Sequence, residues 1–111
     1  MNNNQVIFRV QGSGSEPYVV TFTRSDELYV SCTCSAGQLG QACKHRLSIL
    51  NGDLSDIVSE NRDDGQHIAQ WLLGTKLAAA LSAVDAAEID LALAKKRVSD
   101  SKKALSRVMG T

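Results

Sequence analysis

Residues 28–50 read LYVSCTCSAGQLGQACKHRLSIL, and this stretch decides the fold. Its opening alternates apolar and polar positions with β-branched and aromatic types, which is the pattern of a strand. In that strand a period of two puts Cys32 and Cys34 on one face, beside Leu28 and Val30. A small, glycine-containing loop follows over 35–42. A short helix then begins near Ala42, runs through KHRLSIL and ends at Asn51-Gly52, a suitable helix stop. Cys43 and His45, with one residue between them, turn inward where that helix starts.

The spacing is therefore Cys-x-Cys, eight residues, Cys-x-His. Structural zinc takes four soft or borderline ligands in a tetrahedron, and three cysteines with one histidine are a standard set. The sequence accordingly predicts one structural Zn2+ held by Cys32, Cys34, Cys43 and His45. All 3 cysteines and one of the 2 histidines are consumed. Four protein ligands leave no coordination position for water, so the predicted site is structural rather than hydrolytic. The plainer reading, three buried thiols, leaves the paired spacings and the glycine loop unexplained.

These residues resemble a known family. VSCTC, a glycine-containing loop and CKHRLSIL look like the SWIM-type zinc finger, whose pattern is Cys-x-Cys, a variable gap, then Cys-x-His. The resemblance covers about residues 18–51. It implies a zinc-binding module that supports protein–protein or protein–DNA contacts, ordinarily within a larger chain. It carries over Cys32, Cys34, Cys43 and His45 as ligands and nothing else. This sequence departs from the family in showing no ATPase, transposase or kinase region around the finger.

Working outward, QVIFRVQ at 5–11 and YVVTFT at 18–23 alternate as strands, joined by the turn GSGSEP. With LYVSCT they form a three-stranded antiparallel meander. Downstream of the finger, Asp53 or Ser55 caps a short helix to about Glu60, NRDDG at 61–65 turns, and Asp64 caps a helix through HIAQWLL. The longest element spans 75–109, with Gly74 as a kink or break before it. Leu77, Val84, Leu91, Val98 and Leu105 recur every seven residues, and Ala80, Ala87, Ala94, Ser101 and Val108 lie three beyond each. That is a heptad seam with medium residues at a and mostly alanine at d. At 1.5 Å per residue such a helix is roughly 50 Å long. The fold class is α+β: a small meander with a zinc-closed β-to-α finger, then a helical C-terminal half. Residues 1–52 form the finger module and 53–111 the helical region.

At 111 residues and 43% apolar content, the chain is expected to be one domain, or one small domain with a helical appendage. Its net charge of +0 hides an uneven distribution. Residues 51–90 are strongly acidic. Residues 91–111 carry Lys95, Lys96, Arg97, Lys102, Lys103 and Arg107 against Asp100 alone. Nonspecific grip on a phosphate backbone needs a larger or more focused positive surface. MNNNQ lacks the basic and apolar regions of a signal peptide, and no stretch approaches the ~20 apolar residues of a membrane span. The expectation is a cytoplasmic protein without a membrane partner, in a reducing compartment where cysteines serve as thiolate ligands.

Other residues have plainer readings. Lys44 and Arg46 flank the ligand His45 and offset the negative charge of three thiolates around a dication. His67 beside Asp63 and Asp64 suggests a second metal site, but an exposed helical histidine is the simpler account. Trp71 packs its helix on the finger by default; a partner hot spot is the minority view. No nucleophile elbow, P-loop or dinucleotide fingerprint is present, so the reading is non-enzymatic. The function expected is a zinc-stabilised protein-interaction module, an adaptor or inhibitor of a larger, nucleic-acid-handling complex. The expected role of residues 75–109 is self-association as a dimer, with an antiparallel arrangement favoured; capture of a helix from another protein, or docking back on its own domain, are the alternatives. The alternative is direct DNA or RNA binding through Lys44, Arg46 and the basic residues of the C-terminal helix.

Overall fold

The computed structural model describes residues 4–110. Residues 1–3 and 111, the outer ends of the two regions set out above, lie outside them. Strands β1 (Gln5–Val10), β2 (Tyr18–Arg24) and β3 (Leu28–Cys32) form an antiparallel sheet in the order β1-β2-β3. The expected meander is thus present, with Phe8 opposite Val20 and Val20 opposite Cys32. Alternation places Phe8, Val10, Val20, Phe22, Leu28 and Cys32 on the buried face. Phe8 and Phe22 meet edge to face with ring centroids 5.8 Å apart, a favoured aromatic geometry. The α+β class expected from the sequence is the class observed.

Between β3 and the next helix the expected loop is partly helical. Ser35–Gln38 make a single turn, α1, whose first residue follows Cys34. The Cys34 sulfur accepts a hydrogen bond from the Gly37 N–H at 3.3 Å, taking the role a serine oxygen usually plays at a helix start. Helix α2 (Lys44–Leu50) begins two residues later than expected, directly after the extended residue Cys43. It ends at Asn51, and Gly52 adopts φ +88°, a left-handed conformation that suits glycine.

The segment after α2 differs from its expectation. Residues 53–60 form no α-helix. Ile57 instead bridges Val10 of β1, with Gln11 N–H donating to the Asp56 carbonyl and Val58 N–H to that of Arg9, both at 2.8 Å. Asp53 does act as a local cap, accepting from Ser55 N–H at 3.1 Å and Ser55 Oγ at 2.6 Å, but it closes a turn. The reason is burial: Ile57 is 1% exposed, and reaching the core requires extended backbone against the free edge of β1.

A 3-10 turn (Arg62–Asp64) leads into α3 (Gly65–Leu72), where Ile68 reaches the core and Trp71 packs against it. Asp64 precedes this helix without a side-chain cap bond. Gly74, at φ +74°, breaks the chain before α4 (Lys76–Val108), as its position in the sequence suggested. The first N–H of α4, from Lys76, donates to Glu27 Oε1 at 2.6 Å, placing a carboxylate on a helix start. Leu77 packs on the core, so the first residue of the heptad seam belongs to the module.

The chain divides into two compact units, residues 1–77 and 78–111. The first holds the sheet, α1 to α3 and the core. The second is the remainder of α4, an uninterrupted helix with no buried residue. No helix among the described residues is long and apolar enough to cross a membrane.

Candidate metal centre

The four residues expected as ligands converge. Cys32 ends β3, Cys34 precedes α1, Cys43 precedes α2 and His45 lies in the first turn of α2. All four are buried, and their donor atoms lie within 4.8 Å of one another. The cysteines form no disulfide. Cys32 Sγ lies 3.9 Å from His45 Nδ1, so Nδ1 is the nitrogen that faces the thiols. Zinc–sulfur bonds near 2.3 Å and zinc–nitrogen bonds near 2.0–2.1 Å imply tetrahedron edges of about 3.5–3.8 Å. The cluster is therefore close to that size, and its donor set suits one metal ion, zinc among them.

The local folding explains the convergence. A strand end and a helix start both project side chains from backbone already fixed by the core, and three of the four ligands belong to that core. Gly37 lies against the Cys32 carbonyl, where a Cβ would overlap backbone. The one-turn helix thus folds back on the strand only because residue 37 has no side chain.

Electrostatics prepare the thiols unequally. Burial pushes the Cys32 thiol up to about 12, so without an ion it keeps its proton at neutral pH. Burial also raises Cys43, but hydrogen bonds from Arg46, together with those from the Cys34 and Cys32 thiols, outweigh it and hold this thiol below its ordinary range. Arg46 Nε donates to Cys43 Sγ at 3.2 Å. The same guanidinium donates to the carbonyls of Val30, at 3.3 Å, and Gln41. His45 is held below its ordinary range by burial and by the Lys44 cation, with Asp56 opposing, so its imidazole is neutral and able to ligate.

His45 Nε2 is buried without a hydrogen-bond partner. The Tyr18 ring tilts across the imidazole at 4.9 Å between centroids. Gly12 closes the other approach: a Cβ there would lie 3.2 Å from Nε2 and overlap the Tyr18 ring. A cleft of about 350 Å³ beside His45 is lined by Lys44, Ser48, Asp53 and Asp56 among others. Its charges are of both signs, the arrangement of a solvated rim.

Sequence reasoning brought together the four ligands but not their support. Tyr18, Gly12 and Gly37 were read as strand, turn and loop. The sequence reading of Arg46 is charge balance or a nucleic-acid contact, although its place three residues after Cys43 in a helix predicts that the two side chains meet. The structure separates Lys44 from Arg46, which the sequence treats alike: Arg46 is bound into the centre while Lys44 stays exposed. His67 is exposed, and among the described residues no second group of His, Cys, Asp and Glu converges. Comparison with family models, with curated proteins and with solved structures finds no match to this chain.

Proposed function

We propose that this chain is a zinc-stabilised interaction module of the SWIM type, an adaptor or inhibitor that occupies a protein surface on a larger, nucleic-acid-handling complex. The observation that carries this reading is the closed Cys3His cluster, in which Cys32, Cys34, Cys43 and His45 supply four buried donors. A bound zinc would supply cross-linking between β3 and α2, the job of a structural metal. The chain's own residues would hold it there: Arg46 steadies Cys43, and Tyr18 and Gly12 fix the imidazole plane. With the metal in a structural role, function falls to the surfaces, and α4 offers an exposed apolar and basic flank. Self-association through residues 75–109 is part of this reading.

Direct nucleic-acid binding is the second reading, favoured by the exposure of Lys95, Lys102 and Lys103 on α4. Lys96 is less available because it pairs with Asp100 at 2.7 Å. The two readings separate in one experiment. On the first reading, protein purified without added metal is expected to carry one zinc per chain in native mass spectrometry and to leave DNA and RNA unshifted in a gel even at low salt. Binding that weakens steeply with salt would favour the second reading instead. Absence of metal, with handling losses controlled, would overturn the zinc assignment.

A further inference from the structure

We propose that residues 80–105 of α4 pair antiparallel with the same residues of a second copy, in the register that sets Leu91 opposite Ala94 of the partner subunit. This rests on the self-association reading above and specifies it. Val84, Leu91, Val98 and Leu105 are 53–57% exposed along one side of a helix with no buried residue. Most helical stability in water comes from burying such a face, and among the described residues 78–110 none of α4 is buried.

Two independent features select the second copy and its direction. The first is size. Within residues 80–105 this register sets each large residue of the seam against a small one: Leu91 with the partner's Ala94, Val84 with the partner's Ser101, Val98 with the partner's Ala87, Leu105 with the partner's Ala80. Every layer then has similar thickness and the axes approach evenly. A parallel pair in register would stack leucine on leucine and alanine on alanine, alternating crowded layers with gaps. Arg97, Val98, Ser101, Lys102 and Leu105 already outline an apolar hollow at Ser101, which is where Val84 of the partner subunit would insert.

The second feature is charge. The positions flanking the seam are Glu88, Lys95 and Lys102 on one side and Asp90 and Arg97 on the other. In the proposed register Glu88 faces the partner's Lys95 and Asp90 faces the partner's Arg97, and symmetry doubles both contacts. Sliding the helices by one heptad in either direction puts like charges across the two-fold axis: lysine and arginine on themselves, or Glu88 and Asp90 on themselves. Parallel pairing sets Asp90 near the partner's Lys95 but Arg97 near the partner's Lys102, which cancels.

The test uses the full, zinc-loaded chain. A benzophenone amino acid at Val84 is expected to cross-link to residues 98–105 of the partner chain in a species of dimer mass. Those residues lie about 25 Å away along one helix, beyond intramolecular reach. Cross-linking between positions near Val84 of both chains would leave self-association standing and overturn the register. A monomer at every concentration would overturn both. As a second readout, Glu88→Lys with Asp90→Lys, and separately Lys95→Glu with Arg97→Glu, should each weaken the homodimer about tenfold or more, while an equimolar mixture re-associates. Unchanged affinity in both variants would overturn the charge assignment.

Discussion

Arg46 shows how much one side chain contributes to the centre. Its guanidinium touches a ligand sulfur and two backbone carbonyls from different segments. Replacing it with glutamine keeps a polar side chain but removes the cation. Loss of a group that orients a metal ligand typically lowers metal affinity about 10–100-fold, and competition with a chromophoric chelator would measure it. Cys43→Ser is a harsher change because metal binding and folding are linked. The expected result is an insoluble or metal-free protein; a folded variant with one zinc per chain would sink the ligand assignment. Gly37→Ala tests the backbone rather than the donors. A methyl there overlaps the Cys32 carbonyl, so the variant is expected to lose zinc at lower temperature than the parent, as followed by a melt with metal-release detection.

At the scale of elements, what was legible in the sequence follows the range of the interaction that forms each piece. Strands β1 to β3 are dictated by alternation within five to seven residues and by turn chemistry between them. The four ligands were legible for a similar reason: each pair is one residue apart, and the pairs lie on a strand end and a helix start. The turn α1 was not, because its cap is a sulfur, which the usual oxygen-based helix signals omit. The 53–58 segment was misread because Asp53 and Ser55 make a genuine local cap, while the pairing of Ile57 with Val10 is a contact across 47 positions that no local pattern announces. That pairing gives a direct prediction. Ile57→Ala removes a fully buried side chain and should cost about 2–5 kcal/mol, read from denaturant midpoints. A loss below the lower figure would mean the segment is a loosely held strap.

For the whole molecule, the division at Leu77 separates two sources of order. The first unit rests on a small core continuous with the metal centre; the second is a helix whose apolar seam is exposed. Chelating the ion should therefore abolish the near-ultraviolet signal of Trp71 and Tyr18 while a large part of the helical far-ultraviolet signal persists. Simultaneous loss of both signals would show that the helix depends on the module. This partition was only half visible beforehand. The heptad period marked the helix, but Leu77 fits both the seam and the core, and composition could not decide between them.

The grip of Arg46 on Val30 has one more consequence. In this sheet β3 is an outer strand, and Val30 presents a carbonyl on the side away from β2. Outer strands with free backbone groups invite another chain to add itself. While Cys43 is anchored, the guanidinium sits over that carbonyl and blunts the invitation. An emptied site frees the arginine and uncovers the strand together. Metal loss should then be read out as turbidity rather than as a soluble unfolded chain, so that supply of the metal would set the shelf life of the protein as well as its shape.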